Sequence, residues 1–278
     1  MVCAASAAEF RWAPMLLQPA HAAAKHERFE VCVMQLPAAP ITPTVVFDLD
    51  GTLVHTVPDI AEALDIALAP YGVGRTTIGQ AASMMGDGLS EFFWKAMVSK
   101  RLNLSAVEAD AARRLFIDTY AASPATLSHV YPGVRPLLHE LRERGVHTAV
   151  CTNKVEHIGS DILERFDLRR YFDAVVGSGG DRPMKPDPRP IIEAVSRAGG
   201  RMERALLVGD TSADHGAAIA ARIPLVLLDY GYSHVPINAL TYGIIVDNPM
   251  SLHDAVMSFV GMEHYLGPDS DHHHRSVA

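Results

Sequence analysis

Two aspartates one residue apart, Asp48 and Asp50, are the residues of this sequence best suited to chemistry. They follow the apolar run 45–47 and precede Gly51, a pattern typical of a buried parallel strand that ends in a tight turn. Side chains alternate along a strand, so the two carboxylates are expected to point the same way. Because like charges held together repel, the pattern predicts a cation beside them. Gly51 is expected to let the backbone approach a ligand closely.

The sequence around this pair alternates predicted strands and helices. Short apolar runs predict strands at residues 44–48, 148–152, 174–176, 205–210, 225–228 and 244–246. Helical periodicity predicts helices at residues 57–70, 134–144, 155–166, 188–198 and 213–221. Such alternation indicates a parallel sheet covered by helices on both faces. The predicted fold class is therefore α/β, a doubly wound parallel sheet (Rossmann-like core) with an inserted helical cap domain.

The predicted cap is a block without any strand signal, residues 58–130. Its helices are predicted from two apolar stripes, Leu89, Phe92, Phe93 and Ala96 in the first and Val107, Ala111, Leu115 and Ile117 in the second. Open parallel sheets bind ligands at the carboxyl ends of their strands, so the cap is expected to cover that edge. The α/β core is then expected in residues 44–57 and 131–262.

The two ends of the chain have a different composition. Residues 1–43 are rich in Ala and Pro and are interrupted by charges. They predict a disordered N-terminal extension rather than a secretory signal or a transit peptide. Met34 is expected to be the natural start. Residues 263–278 predict a disordered tail.

Composition narrows the possible partners. The chain has 278 residues, of which 49% are apolar, as expected for a globular protein. Its formal net charge of −8 argues against a nucleic-acid partner, and no apolar run approaches the roughly 20 residues that span a membrane. Three cysteines suit a reduced, cytoplasmic setting better than a disulfide framework. The sequence leaves a monomer and a homodimer both open.

Three further motifs follow predicted strands, in the order Thr152-Asn153, Lys185 within Lys185-Pro186-Asp187-Pro188, and Gly209-Asp210 with Asp214. Together with the segment 47–53, Phe-Asp-Leu-Asp-Gly-Thr-Leu, they resemble the four motifs of the haloacid dehalogenase-like superfamily in its phosphatase form. The resemblance covers about residues 44–250. It is the joint order of the motifs, rather than any one of them, that makes it specific.

The resemblance implies covalent catalysis at three residues. Asp48 is expected to attack phosphorus and become an aspartyl phosphate. Asp50 is expected to protonate the leaving oxygen and then to activate the water that hydrolyses the intermediate. Lys185 is expected to offset the repulsion between the attacking carboxylate and the phosphoryl group.

The implied cofactor is Mg²⁺, since a phosphate dianion would otherwise meet at least three carboxylates. The expected ligands are Asp48, the backbone carbonyl of Asp50, and Asp210. Asp214, one helical turn further on, is expected to act as a ligand through water or as a support for Lys185.

The residues expected to contact the substrate come from three segments. Hydroxyl and amide groups can donate to phosphate oxygens without adding charge. The expected residues are Gly51 and Thr52 in the first motif, Thr152 and Asn153 after the second predicted strand, and Gly86, Asp87 and Gly88 in a loop of the cap.

Within the superfamily, the sequence looks most like bacterial phosphoglycolate phosphatases, which implies hydrolysis of 2-phosphoglycolate to glycolate. The matching segments are 56–60, 85–89, 230–232 and 247–249. The sequence departs from the pattern at His55-Thr56, in place of Asp-Ser, at Asp87, where Asn is frequent, and at His215, where an apolar residue is usual. Since phosphoglycolate carries its own carboxylate, a basic cap residue is expected near it, and Asp87 would repel it.

Several alternatives stay open. Asp50 argues against dehalogenases and phosphonate-cleaving relatives, which lack it. A sugar or nucleotide phosphatase, or a sugar phosphomutase, would keep both aspartates. A phosphate-binding regulatory module is the alternative that is not an enzyme, and the intact set of charged residues argues against it. In each enzyme reading the partner is a small phosphorylated metabolite.

Overall fold

A computed structural model describes residues 41–233 and 236–262 of the chain. Within them the strands are β1 (Thr44–Phe47), β2 (Val54–His55), β3 (His129–Val130), β4 (His147–Val155), β5 (Ala174–Ser178), β6 (Ala205–Gly209), β7 (Leu225–Leu228) and β8 (Ile244–Val246). Six of these form a parallel sheet in the order β5-β4-β1-β6-β7-β8. The order reverses at β1, whose neighbours are β4 and β6. Ligands of open parallel sheets bind at such a reversal.

Helices cover both faces of this sheet. They are α1 (Val57–Leu68), α2 (Ile78–Ala82), α3 (Gly88–Ser99), α4 (Ala106–Ala122), α5 (Val134–Glu143), α6 (Glu156–Arg165), α7 (Arg189–Arg197), α8 (Ser212–Ala221) and α9 (Pro249–Gly261). Val45 and Phe47 of β1 are buried in one apolar cluster with α5, α6 and α9, whereas Val46 is buried in another with α7 and α8. This alternation along one strand confirms the predicted doubly wound fold.

The helices α1 to α4 lie in the insertion between β2 and β3. Its core is aromatic, because Phe92 and Phe93 of α3 stack on Phe116 of α4 with ring centroids 5.7 and 6.2 Å apart. The chain leaves and re-enters the core through β2 and β3, which pair antiparallel with Val54 opposite Val130. This small sheet was not predicted, since two residues are too few to show a period.

The predicted apolar stripe of α4 is wrong at three of its four residues, and only Ile117 packs against the core. Val107 is 80% exposed and Leu115 is 46% exposed. The buried face of α4 instead carries Ala109, Ala112, Phe116 and Tyr120. Aromatic side chains bury more area than aliphatic ones, so the two aromatic rings determine which face of the helix packs inward. The first predicted stripe, on α3, is buried as expected.

The last helix, α9, was missed by the sequence analysis. Asn248 caps it by accepting hydrogen bonds from the amides of Met250 and Ser251, both at 3.0 Å. Its buried residues are Leu252, Val256 and Phe259. The sequence does carry a signal for this helix. An asparagine precedes a proline, and apolar residues then recur at every third or fourth position.

The predicted ends of the chain fall outside the described residues. This applies to the extension at 1–43 except for its last three residues, to the expected start at Met34, and to the tail at 263–278. In the part of the chain that the structure describes, no helix is long and apolar enough to cross a membrane.

Candidate active site

Three buried carboxylates meet where β1 and β6 end. Asp48 directly follows β1 and Asp210 directly follows β6, while Asp214 lies in the first turn of α8. One oxygen of each carboxylate lies within 4.8 Å of one oxygen of the other two, and the three residues are 6%, 0% and 0% exposed. Adjacent parallel strands therefore bring together the aspartates of the first and last motifs.

Lys185 is the cation inside this cluster. Its ammonium lies 2.9 Å from Asp48 Oδ1 and 2.6 Å from Asp214 Oδ1, and it donates to the carbonyl of Cys151 at 2.7 Å. The side chain is almost completely buried. A buried ammonium surrounded by three oxygens is held in place, which fits the predicted position of Lys185 beside Asp48.

Two hydrogen bonds fix the orientation of Asp210. Thr52 Oγ1 donates to its Oδ1 at 2.8 Å, and the Tyr232 amide donates to its Oδ2 at 2.6 Å. Gly51 has a φ of +83°, and a Cβ there would lie 2.2 Å from Asp210 Oδ2. Gly51 thus gives Asp210 room, and Thr52 orients Asp210 with the hydroxyl that was expected to contact substrate.

Asp214 has both oxygens engaged by the protein. Its Oδ1 meets Lys185, and its Oδ2 accepts from the hydroxyl of Thr211 at 2.7 Å and from the Thr211 amide at 3.1 Å. These contacts form a capping box at the start of α8. Of the two predicted roles, the geometry favours support of Lys185.

Asp50 lies in the turn after β1, on the side of the helical insertion. Its Oδ1 accepts a short hydrogen bond from Thr56 Oγ1 and lies 3.1 Å from the ammonium of Lys154. The same ammonium donates to Tyr120 Oη of α4 at 3.0 Å and lies 4.5 Å from the centre of that ring. Asp50 is therefore held by the core and, through Lys154, connected to the insertion.

The side chain of Asn153 is used within the protein. Its Nδ2 donates to the carbonyls of Gly86 and Lys185, both at 2.9 Å, and its Oδ1 accepts from the Lys185 amide at 2.8 Å. An amide group has two N–H hydrogens to donate. In this arrangement Asn153 joins the Gly86 loop to the Lys185 segment and has no N–H left for the phosphate contact predicted for it.

A cavity lies between the strand ends and the insertion. Its volume is about 410 Å³, counted out to its mouth in solvent. It is lined by Asp48, Asp50, Met85, Gly86, Gly88, Leu89, Phe92, Thr152, Asn153, Lys154 and Thr211. The core contributes polar groups and the insertion contributes apolar ones, so the cavity has a charged floor and an apolar roof.

Asp87 does not line this cavity, although the two glycines beside it do. Its Oδ2 accepts a hydrogen bond from Lys95 Nζ of α3 at 2.5 Å. Gly88 has a φ of +83°, and a Cβ there would lie 3.2 Å from the carbonyl of Asn153. The loop therefore approaches the core closely through its glycines, while the charge of Asp87 is paired with Lys95 outside the cavity.

Burial and like charges disturb the acid–base properties of the cluster. Burial, Asp214 and Asp50 raise the pKa of Asp48 to about 7, although Lys185 acts in the opposite direction. Burial, Asp48 and Asp214 also raise the pKa of Asp210 well above its usual value. For Lys185, burial alone lowers the pKa, but Asp214 and Asp48 outweigh it and keep the pKa above its ordinary value.

The donor set fits a hard divalent cation. Asp48 Oδ1 is buried beside the Lys185 ammonium, and oxygens of Asp210 and Asp214 lie within 4.8 Å of the Asp48 carboxylate. Carboxylate oxygens are the ligands that Mg²⁺ prefers, and one or two carboxylates suffice because the ion keeps several waters. Asp48 and Asp210 therefore have the chemistry for such a site, and a bound cation would relieve the repulsion that raises their pKa values.

We expect Mg²⁺ to stabilise the protein more above pH 7 than below it. The folded-state pKa of Asp48 is raised from 3.8 to about 7, so without metal the stability falls as the pH rises through that range. Below about pH 7 Asp48 binds a proton in the folded protein, and Mg²⁺ must displace that proton in order to bind. At a concentration of one hundred times Kd it should add about 2.7 kcal/mol to the free energy of unfolding.

Thermal unfolding with and without MgCl₂, at about pH 8 and about pH 6, measures this effect. KCl at equal ionic strength is the control, and Asp210→Asn should lose most of the response. Equal stabilisation at both pH values, or equal stabilisation by KCl, would contradict a divalent-cation site at Asp48 and Asp210.

Comparison with known proteins identifies the family. The sequence model of the haloacid dehalogenase-like hydrolases matches residues 45–228, well over half of the chain. The chain belongs to this family. That confirms the resemblance inferred from the four motifs, and the matched range includes the residues of the buried cluster together with the helical insertion.

Relatives in the haloacid dehalogenase-like family cover most of the chain. It is 32% identical over 221 residues to a phosphoglycolate phosphatase of Agrobacterium fabrum (strain C58 / ATCC 33970), covering 80% of this chain and 95% of that protein. It is 37% identical over 207 residues to phosphoglycolate phosphatase 1 of Pseudomonas aeruginosa, covering 73% and 76%. A crystal structure of a predicted phosphoglycolate phosphatase from Haemophilus somnus 129pt has a TM-score of 0.72 at 27% identity, covering 77% and 98%.

Sequence reasoning missed three side chains of this hydrolase site. Thr56 and Lys154 bind the Asp50 carboxylate, and Tyr120 of the insertion binds Lys154. Lys154 could have been found from the sequence, because it directly follows the Thr152-Asn153 motif at the end of a predicted strand. A lysine in that place is expected to be partly buried. Tyr120 could not be placed, since its contact joins elements 34 residues apart in the chain.

Proposed function

We propose that the protein is a magnesium-dependent phosphatase that hydrolyses a small phosphomonoester through an aspartyl phosphate at Asp48. The observation that carries this proposal is the position of Asp48. Asp48 lines the cavity, and its Oδ1 lies 2.9 Å from the buried ammonium of Lys185. A carboxylate at the cavity wall beside a compensating positive charge is what attack on a phosphoryl group requires.

In the first step Asp48 attacks the phosphorus atom and the ester bond breaks. Asp50 supplies a proton to the leaving oxygen, so the alcohol departs neutral. Lys185 stays charged and offsets the negative charge shared between Asp48 and the phosphoryl group. Thr152 lines the cavity, and its hydroxyl, which accepts from the Lys154 amide at 3.1 Å, is proposed to donate to a phosphoryl oxygen.

In the second step water attacks the phosphorus atom of the aspartyl phosphate. Asp50, now ionised, takes a proton from this water as the bond between phosphorus and Asp48 breaks. Inorganic phosphate is released and Asp48 is regenerated. The hydrogen bond from Thr56 would hold Asp50 in one orientation, and the ammonium of Lys154 at 3.1 Å would stabilise its ionised form in the second step.

The implied metal site consists of Asp48, Asp210 and the backbone carbonyl of Asp50. Mg²⁺ bound there would neutralise negative charge on the phosphoryl group and fix its orientation. Thr52 and the Tyr232 amide hold Asp210 in place for this purpose. Asp214 is proposed to act through Lys185, because the protein already uses both of its oxygens.

The helical insertion, residues 58–130, is proposed to act as a cap that excludes water and limits substrate size. Its loop at Gly86 and Gly88, with Leu89 and Phe92 of α3, forms one wall of the cavity. Closing such a site strengthens the electrostatic interactions inside it. A cavity enclosed between the strand ends and the insertion suits a small soluble phosphomonoester better than a phosphoprotein or a polymer.

The proposed substrate is 2-phosphoglycolate. The support is the length of the match to relatives of that name, 80% of this chain in one case. The negative charge of Asp87 is no obstacle in this arrangement, because it is paired with Lys95 and Asp87 does not line the cavity. The expected products are glycolate and inorganic phosphate.

Phosphate release from a panel of phosphomonoesters tests the proposal. The panel contains 2-phosphoglycolate, hexose phosphates, nucleoside monophosphates and pyridoxal phosphate, each with and without MgCl₂. We expect magnesium-dependent release with a clear preference for 2-phosphoglycolate. Preference for another ester would move the function to a sugar or nucleotide phosphatase. Conversion of a sugar phosphate without release would indicate a mutase, and no reaction by folded protein would indicate a regulatory module.

A further inference from the structure

We propose that Lys154 binds the carboxylate of the substrate and thereby selects phosphomonoesters whose alcohol carries an acidic group. This inference rests on the proposed phosphatase function and concerns the part of the substrate that leaves with the alcohol. From the sequence, a basic residue of the cap was expected near the substrate carboxylate. Lys154, a lysine of the core near the end of β4, lines the cavity instead.

Lys154 is a buried cation in the wall of the cavity. The residue is 3% exposed and lies next to Thr152 and Asn153 in the sequence. Burying a charged group is costly unless the group has partners. Its ammonium has two, the carboxylate of Asp50 at 3.1 Å and the hydroxyl of Tyr120 at 3.0 Å. An ammonium has three N–H hydrogens, so one donor remains after these two contacts.

The place of Lys154 next to Asp50 defines which part of the substrate it meets. Asp50 must touch the ester oxygen in order to protonate it, so the alcohol portion lies against Asp50. In 2-phosphoglycolate a single methylene separates the ester oxygen from the carboxylate. A cation in contact with Asp50 is therefore within reach of that carboxylate.

The other lysine of the site is not available for this contact. The ammonium of Lys185 is already surrounded by Asp48, Asp214 and the carbonyl of Cys151. Among the described residues that line the cavity, Lys154 is the one lysine, arginine or histidine. The charged groups on the cavity floor are otherwise acidic, so a substrate carboxylate has one attractive position.

Tyr120 connects this contact to the insertion. It is buried on α4, and its hydroxyl and ring both touch the Lys154 ammonium. A cation held over an aromatic face and by a hydroxyl is restricted in orientation. Lys154 is therefore held between core and insertion before the substrate enters, which reduces the entropic cost of binding a second anion.

The test compares two substrates that differ in the carboxylate. Ethyl phosphate has the ester and the carbon chain of 2-phosphoglycolate but no acidic group. The preference is the ratio of kcat/KM for the two esters, measured for wild type, Lys154→Met, Lys154→Gln and Lys154→Arg. Lys100→Met is the matched control, because that half-buried lysine donates to the carbonyl of Gly74 and does not line the cavity.

We expect wild type and Lys100→Met to prefer 2-phosphoglycolate strongly. Lys154→Met and Lys154→Gln should lower the preference about 10- to 100-fold, the range typical of a hydrogen bond to a charged group, chiefly through a higher KM for 2-phosphoglycolate. Lys154→Arg should keep most of it. The ratio does not depend on the fraction of folded protein, and either neutral variant suffices if the other does not fold.

Two outcomes would overturn the inference while the proposed function survives. In the first, the neutral variants lose activity towards both esters by the same factor, which would mean that Lys154 acts only through Asp50. In the second, they retain the wild-type preference. If wild type itself showed no preference for 2-phosphoglycolate, it is the proposed substrate that would fail.

Discussion

Replacing Asp48 by asparagine should lower kcat for phosphate release at least about a thousand-fold, as the loss of a nucleophile does in other enzymes that use covalent catalysis. The amide oxygen of asparagine is a poor nucleophile, and no other carboxylate can take its place. Asp50 is held by Thr56 and Lys154, and Asp214 is held by Lys185 and Thr211. The substitution also removes one of three mutually repelling charges, so the fold should persist.

Steady-state phosphate release and thermal unfolding, measured on the same preparation, check this result. Asp118→Asn is the matched control, because Asp118 lies exposed on α4. The control should retain wild-type activity, and Asp48→Asn should retain at least the wild-type thermal midpoint. Turnover within about ten-fold of wild type would remove Asp48 as the nucleophile.

Replacing Lys185 by methionine should have the largest effect on stability, a loss of about 3–5 kcal/mol. The variant would leave Asp48 and Asp214 buried without the ammonium that lies within 3 Å of both. Removing one partner of a buried ion pair costs more than the pair contributes, because an uncompensated charge remains. Activity should fall as well, since the charge beside the attacking carboxylate is lost.

A double-variant cycle separates this effect from simple loss of packing. In urea unfolding, Lys185→Met combined with Asp48→Asn should recover part of the lost stability, because one repelling carboxylate becomes neutral. If the effects of the two substitutions on the free energy of unfolding merely add, the two residues do not interact. Lys100→Met should unfold like wild type.

The sheet was predictable because its six strands are short apolar runs, four of which precede a polar motif. Buried parallel strands are apolar on both faces, and Val45, Val46 and Phe47 show this directly, since all three are buried. The four motifs then follow from strand order, because carboxyl ends of parallel strands share one edge. Asp48, Asp210 and Lys185 lie together as expected for this reason.

The contacts across the cavity were beyond the sequence because they depend on packing between distant segments. Asn153 was read as a phosphate ligand from its residue type, yet it binds Gly86 and Lys185. Residue type gives the hydrogen bonds that a side chain can make, not the groups that will be near it. The face of α4 was misjudged similarly, because burial of Phe116 and Tyr120 overrode an aliphatic period.

Trapping the aspartyl phosphate at Asp48 tests the proposed mechanism directly. Wild-type protein is mixed with 2-phosphoglycolate labelled in the phosphoryl group, in the presence of MgCl₂, and quenched in acid within one turnover. We expect label on the peptide that contains Asp48 and none in Asp48→Asn. In Asp50→Asn, which lacks both the acid of the first step and the base of the second, label should appear more slowly and be lost more slowly. Rapid phosphate release without labelled protein, or label that persists in Asp48→Asn, would contradict this mechanism.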